Sequence, residues 1–288
     1  MTAVDYKALK NGGFMRQKQK DNFSLRLKVI GGNLTAEQLF AIANVAVKFG
    51  AGRVHLTSRQ GVEIPFIKLK DIDAVKSELL DGGVHTGVCG PRVRTVTACQ
   101  GSDICPSGCI ATYQLAVEIS ERYFGRGLPH KFKFGVTGCQ NNCLKAEEND
   151  LGIKGAYLIK WEKGLCTLCG VCVKACRQNA IKISESSIEL EKVSCNYCGR
   201  CVKSCPSGAW QGEPGYIVSF GGTFGNKIAK GKELVPITAD KTSLFRLADA
   251  AVDFFAEHAH PGERFRAAIE RVGWDTFSDA IAKAHADG

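Results

Sequence analysis

The chain has 288 residues, 44% of them hydrophobic, and a formal net charge of +9, which leaves room for one large or two to three smaller globular domains with a sizeable core. No opening segment joins a basic stretch, an apolar run and a small-residue cleavage site, and the longest mostly apolar stretch, Leu39 to Phe49, is too short to cross a bilayer. The expectation is a soluble, cytoplasmic protein.

Residues 23–30 alternate as a strand does. Thr35 and Gln38 have capping-box spacing ahead of an apolar-periodic helix that runs to Phe49, where Gly50 stops it. Residues 53–57 and 62–69 read as two strands around a turn at Ser58 to Gly61, and residues 71–81 as a second helix ended by Gly82 and Gly83. This order, β-α-β-β-α, predicts a small α+β layer with its helices on one face. From Val84 onward glycine and cysteine become denser. A helix is predicted from Ile110 to Phe124, and a strand over 131–138 leads into Cys139. Strands at 152–159 and 216–220 flank an insert of roughly 160–212, about the length of a small two-cluster ferredoxin. After Thr242 an apolar stripe from Leu244 to Phe255 and two shorter stretches predict packing helices.

The fourteen cysteines do not fit a disulfide framework, which suits short chains with export signals. Eight of them form two C-x2-C-x2-C-x3-C runs: Cys166, Cys169, Cys172 and Cys176, then Cys195, Cys198, Cys201 and Cys205, with Pro206 completing the bacterial ferredoxin spacing. In that arrangement three thiolates of a cubane come from one run and the fourth from the other. Cys166, Cys169, Cys172 and Cys205 therefore form one set, and Cys195, Cys198, Cys201 and Cys176 the second. Arg177 follows the first run where proline would be expected, which removes no ligand. A zinc module is the bland alternative, since C-x2-C pairs also suit zinc. Upstream, Cys99 and Cys105 are separated by five residues, and Cys139 and Cys143 by three. Two residues four apart share a face of a helical turn, so these four thiolates would make a third site, against the alternative of buried structural cysteines. Cys89 and Cys109 are spare, and Cys109 in CPSGC competes with Cys105 as a ligand.

The basic residues are scattered, with no run of five or more, so the charge does not by itself call for nucleic acid. In His130-Lys131-Phe132-Lys133-Phe134 a period of two puts both lysines on one strand face and both rings on the other. Arg92 and Arg94 alternate similarly before Cys99, and Arg59 lies in the TSRQG turn. Each alone would be a solvated surface charge. Beside candidate cluster ligands, they point to a small cavity that binds an anion and stabilises its developing charge.

These motifs resemble those of the sirohaem-containing sulfite and nitrite reductases. C-x5-C followed by C-x3-C is similar to that family's cluster-binding signature, and LTSRQGVEI to the half-domain segment that carries a substrate-side arginine. VRTVTAC resembles the arginine-bearing segment before the first cluster cysteine, and LPHKFKFGVTGCQNNC the paired-lysine strand that runs into the last two ligands. The similarity covers about residues 20–157 and resumes near 215, and the ferredoxin-type insert resembles that of anaerobic and dissimilatory-type sulfite reductase subunits.

The resemblance implies an α+β fold with a ferredoxin-like half-domain over 1–87, a sirohaem and 4Fe–4S catalytic domain over 88–158 and 214–288, and an inserted two-cluster ferredoxin domain over 159–213. It implies sirohaem and three 4Fe–4S clusters as cofactors. Cys99, Cys105, Cys139 and Cys143 would hold the cluster coupled to sirohaem, with Cys143 also the axial ligand of its iron. Arg59, Arg94, Lys131 and Lys133 would surround the substrate and pair with sirohaem carboxylates; Arg92 would join in that pairing, and Asn141 would orient the cluster loop. The implied reaction is six-electron reduction of sulfite to sulfide. Nitrite reduction to ammonia on the same architecture, and a non-catalytic iron–sulfur electron-transfer subunit, are the alternatives. The family's large assimilatory enzymes carry two such halves in one chain, and one is legible here. That implies a homo-oligomer or a hetero-complex, served by reduced ferredoxin or an electron-supplying subunit, without nucleic acid or a membrane span.

Overall fold

Local capping chemistry sets the first helices. In the computed structural model, which describes residues 4–286, the Asp5 carboxylate accepts the backbone N–H groups of Lys7 and Ala8 at 2.9 Å each and starts α1 (Tyr6–Asn11). β1 (Phe14–Arg16), β2 (Asn22–Arg26), α2 (Ala36–Phe49), β3 (His55–Leu56), β4 (Val62–Lys68) and α3 (Ile72–Asp81) follow. The capping box at α2 is formed: Thr35 Oγ1 accepts the Gln38 N–H at 3.2 Å and Gln38 Oε1 accepts the Thr35 N–H at 3.0 Å. Gly50 ends α2 where a side chain has no room, since a Cβ there would lie 2.5 Å from the Ile64 side chain.

The four strands run antiparallel in the order β1-β2-β4-β3. Phe23 and Leu25 of β2, Ile64 and Ile67 of β4, and Val75 and Leu79 of α3 close the core of this layer. The predicted β-α-β-β-α order is present with α1 and β1 added in front. Neither addition is legible by periodicity, because α1 buries no residue and β1 has only three. The predicted strand over 23–30 stops at Arg26, and Gly31 and Gly32 enter the left-handed region with φ of 59° and 73°.

The chain continues through β5 (Thr97–Ala98), α4 (Thr112–Tyr123), β6 (Phe134–Thr137), β7 (Leu151–Trp161), α5 (Val171–Ala175), β8 (Ile181–Ile183), β9 (Ile188–Leu190), α6 (Arg200–Ser204), β10 (Trp210–Phe220) and β11 (Lys232–Glu233). It ends in α7 (Lys241–His258), α8 (Phe265–Val272) and α9 (Trp274–Ala286). Two compact units emerge: one from the chain up to Ala98, with Tyr113–Gly135 and Val252–Trp274, the other from Cys99–Thr112, Val136–Ala251 and the chain from Asp275 on.

In the first unit, Phe132 is fully buried and packs its ring 5.1 Å from Phe134, 5.0 Å from Phe265 and 5.8 Å from Phe255. This aromatic cluster anchors the Lys131–Lys133 segment. The predicted strand over 131–138 shortens to β6, preceded by a single parallel bridge from Phe132 to Val93.

In the second unit, β7 and β10 are each eleven residues long and pair antiparallel without a break from Leu151↔Phe220 to Trp161↔Trp210. They are longer than predicted because Gly212, Pro214 and Gly215 interrupt the alternation of β10. The cysteine-rich segment hangs from the far end of this ribbon. Its own small core is Cys172, Ile181, Ile188, Cys201 and Trp210, with Ile159 and Trp161 of β7 packed against it. Among the described residues no helix is long and apolar enough to cross a membrane.

Candidate functional site

The first unit contains a cavity of about 270 Å³ on which Arg26, Arg59, Arg94, Lys131 and Lys133 converge, with Thr57 and Ser58 beside them. The backbone explains the convergence. Arg94 N–H donates to the Phe132 carbonyl at 2.9 Å, which sets Arg94 alongside the two lysines. Phe132 and Phe134 are buried while Lys131 and Lys133 are half-buried, so the period of two holds across this segment. Gln60 fixes the Arg59 turn: its Nε2 donates to the Ala98 carbonyl at 2.8 Å, and its Oε1 accepts the Ala98 N–H at 3.0 Å. Arg59 Nη2 donates to the Thr95 carbonyl at 3.3 Å.

Arg94 is fastened to its own strand's approach, with Nη1 on the Val88 carbonyl at 2.6 Å and Nη2 on the Gly90 carbonyl at 3.0 Å. Burial pulls its pKa down, while a hydrogen bond from the guanidinium to the Cys89 thiol pushes it up. Arg26 clasps Glu63 at 2.5 and 2.9 Å and directs Nη1 to the same thiol at 3.3 Å. Cys89, spare in the sequence, is thus a buried sulfur held by two guanidiniums. Arg26 and Gln60 lie outside the predicted set. The alternation of β2 does place Arg26 on the face opposite Phe23 and Leu25, but only the fold brings it to Arg94. Arg92 turns away from the cavity and donates Nη1 to the Gly125 carbonyl at 2.7 Å. His130 registers the positive field: burial lowers its pKa first, and Arg264, Lys131 and Arg94 add to the effect.

The second unit gathers the upstream cysteines. The Cys139 thiol is pushed up by burial, eased by the Asn141 backbone N–H, and raised further by Cys105, Cys99 and Cys143 as its electrostatic neighbours. Cys99 Sγ accepts the Gly138 N–H at 3.0 Å, and its backbone N–H donates to the Val136 carbonyl at 3.1 Å. Close backbone packing dictates the glycines of this loop: a Cβ on Gly108 would lie 2.5 Å from the Ser102 nitrogen. The helical turn predicted across Cys139–Cys143 is instead a non-helical turn, broken by Asn142 at φ 49°. Asn142, next to the predicted Asn141, does the fastening: its Oδ1 accepts the Ala146 N–H at 2.9 Å.

The two ferredoxin-type runs repeat at the level of the backbone. Leu168 and Gly170 have φ of 52° and 72°, and their counterparts Tyr197 and Gly199 have 56° and 70°. Such left-handed kinks turn consecutive N–H groups toward a common anion, and Tyr197 N–H donates to Cys195 Sγ at 3.4 Å. Burial pushes Cys201 up to about 12, with Cys195 and Cys198 as neighbours. Cys195 is likewise raised by burial, eased by the Tyr197 backbone N–H, and raised further by Cys198 and Cys176 as its electrostatic neighbours. Ala180 N–H donates to Cys176 Sγ at 3.3 Å. Cys166, Cys172 and Cys205 belong to the insert's core, while Cys169 is exposed. At Cys205, burial raises the pKa, but the N–H of Trp210 and the Ser207 hydroxyl outweigh it and the thiol ends below its ordinary value.

This donor set fits iron–sulfur clusters. Thiols in groups, with backbone N–H groups aimed at the sulfurs, are what a cubane needs, and a buried protonated thiol gives up its proton when it takes iron. Among the described residues no three His, Cys, Asp or Glu close on one point as a single-ion site would; a cubane spreads its thiolates over separate iron corners. The cavity's cations fit an anionic partner, whether a small oxyanion or the carboxylates of a macrocycle.

Known proteins share this pattern. Residues 89–286 match the family model "Nitrite and sulphite reductase 4Fe-4S domain", and residues 15–82 match "Nitrite/Sulfite reductase ferredoxin-like half domain". The chain is 33% identical over 254 residues to a coenzyme F420-dependent sulfite reductase of Methanocaldococcus jannaschii, an alignment covering 87% of this chain and 40% of that protein. It is 31% identical over 189 residues to one of the subunits of the anaerobic sulfite reductase of Salmonella typhimurium, covering 61% of this chain and 56% of that relative. The chain therefore spans about two fifths and just over half of these relatives' lengths. In three dimensions it resembles the crystal structure of dissimilatory sulfite reductase I with a TM-score of 0.73 at 19% identity, over 91% of this chain and 69% of that one. Fold, half-domain and cysteine-bearing domain agree, and the chain belongs to the nitrite and sulphite reductase family.

Proposed function

We propose that the protein reduces sulfite to sulfide at a sirohaem coupled to a 4Fe–4S cluster, with electrons delivered through two further clusters in the insert. The observation that carries this reading is the convergence of five cationic side chains on one cavity of about 270 Å³, in a chain of this family. Sirohaem, when bound, supplies the multi-electron chemistry. The protein supplies the rest. Cys99, Cys105, Cys139 and Cys143 would hold the coupled cluster, and Cys143 would also serve sirohaem. Arg59, Arg94, Lys131 and Lys133 draw in the oxyanion and favour the charge that builds on its oxygens. Loss of each oxygen as water consumes protons. Lys131 and Lys133 can give up a proton and be recharged from solvent, whereas arginine stays protonated and serves as a fixed charge. Arg94 already has two of its donors on backbone carbonyls. Arg92, committed to the Gly125 carbonyl, is left out of the proposed pairing with the cofactor's carboxylates.

The domain scheme proposed with this reading is a half-domain over 1–87, a catalytic domain over 88–158 and 214–288, and a two-cluster insert over 159–213. Reduced ferredoxin or an electron-supplying subunit feeds the insert, and the protein works as a homo-oligomer or within a hetero-complex.

Sulfite is favoured over nitrite because the Methanocaldococcus relative that aligns over 87% of this chain, and the Salmonella relative that aligns over 189 residues, bear the names of sulfite reductases. The test is anaerobic turnover with reduced methyl viologen. The expected result is sulfide formed in proportion to sulfite consumed. Ammonium formed from nitrite while sulfite goes untouched would move the assignment to nitrite, and no turnover of either would leave the electron-transfer subunit.

A further inference from the structure

Cys109 has no place in the proposed clusters, yet it is 3% exposed and sits at a crossing point of the second unit. Its N–H donates to the carbonyl of Gly138, the residue before Cys139, at 2.7 Å. Its sulfur lies 4.0 Å from the carbonyl oxygen of Cys198. Lys203, Cys139 and Cys198 are its electrostatic neighbours. The thiol therefore stands between the loop that carries Cys139 and the loop that carries Cys198.

Lys203 makes the second tie. It lies on α6 between Cys201 and Cys205, and its Nζ donates to the carbonyls of Pro106 and Gly108 at 3.1 Å each. One ammonium thus fastens the second cysteine run to the CPSGC loop that carries Cys105. The same run is pressed onto β7: Tyr157 N–H donates to the Tyr197 carbonyl at 2.8 Å, and a Cβ on Gly199 would come within 2.1 Å of the Tyr157 ring. A cleft of about 410 Å³ beside this contact is lined by Cys139, Cys198, Arg177, Arg200 and Lys203. Cys169, at the tip of the other run, is exposed.

We propose that Lys203 and Cys109 form the junction through which electrons pass from the cluster held by Cys195, Cys198, Cys201 and Cys176 to the cluster at Cys139. That makes the second-run cluster proximal, and the cluster of Cys166, Cys169, Cys172 and Cys205 the one that accepts electrons from the donor. The inference rests on the cluster reading above. The step moves one electron: the proximal cluster is oxidised by one, the coupled cluster is reduced by one, and a low-potential one-electron donor restores the first by way of the cluster of Cys166, Cys169, Cys172 and Cys205. Cys109 keeps its proton and no bond is made or broken. Lys203 is a positioning residue, setting the distance across which the electron moves, and Cys109 fills that distance with a polarizable sulfur.

The test is freeze-quench EPR of the fully metallated protein mixed with dithionite, reading the insert clusters and the coupled cluster separately. Lys203→Ala is expected to keep the wild-type iron content and the rate at which the insert clusters are reduced, and to slow reduction of the coupled cluster by about tenfold, since small misplacements are costly in rate. Lys203→Arg, which still donates to the two carbonyls, is expected to restore most of that rate. Cys109→Ala should slow the same step without changing the insert clusters. It decides the matter if Lys203→Ala fails to assemble. Wild-type transfer in both alanine variants would overturn the junction. Absence of a cluster at Cys139 in the wild-type protein would instead overturn the reading on which it stands.

Discussion

Cys143→Ser is expected to abolish sulfite turnover while the clusters of the insert remain in place. Cys143 lies in the turn after β6 and is exposed, outside the packed core. The turn is fastened by neighbours: Asn142 accepts the Ala146 N–H at 2.9 Å, and Lys145 N–H donates to the Asn142 carbonyl at 2.8 Å. The variant therefore folds, and what it would lose is the thiolate proposed to serve both cluster and sirohaem. Changing groups that merely orient metal ligands costs about 10- to 100-fold, so loss of the shared ligand itself should exceed about 100-fold in kcat. Iron analysis and EPR of the insert clusters provide the control. Wild-type turnover in this variant would remove Cys143 from the axial position.

The second large effect is expected at Lys133. Its neighbours Phe132 and Phe134 are fully buried and fix the backbone, so Lys133→Ala should leave the fold and the cofactor content intact. The cavity would lose one of its five cations and one of its two lysines. Removing one preorganised group that stabilises developing charge costs about 100- to 1,000-fold in kcat, and the lower end is expected here because Lys131 and the arginines stay in place. Lys133→Arg should recover anion binding more than kcat, because arginine keeps the charge but does not release a proton. Unchanged kcat and KM in Lys133→Ala would return this residue to the solvated surface.

Local signals are the most legible part of the fold. The α2 capping box needs only Thr35, Gln38 and the apolar period behind them, and the KFKF alternation needs only the pleat of an extended chain. The two cysteine runs advertise themselves by spacing, and their matched left-handed residues show why the spacing repeats. What stays hidden depends on tertiary closeness. Arg26 reaches Cys89 across 63 positions and Gln60 reaches Ala98 across 38, and neither approach leaves a mark in the local pattern. The full length of β10 is masked by Gly212, Pro214 and Gly215, which suit an edge or a bend better than a strand centre. The Cys139–Cys143 turn illustrates a subtler gap. A four-residue spacing fits a helical face, but Asn142 adopts φ 49°, and a turn brings the two sulfurs into the same neighbourhood by another route. Cys109 and Lys203 belong to the same class, since their meeting depends on how the insert folds back on the loop that follows Cys105.

The most direct measurement is the visible absorption of anaerobically purified, fully metallated protein, with and without sulfite, together with acid extraction of any tetrapyrrole. The proposed thiolate-linked macrocycle predicts one extractable tetrapyrrole per chain and Soret-like and visible bands that move when sulfite is added. A preparation carrying its full complement of iron and sulfide, yet with no tetrapyrrole and a spectrum indifferent to sulfite, would contradict it.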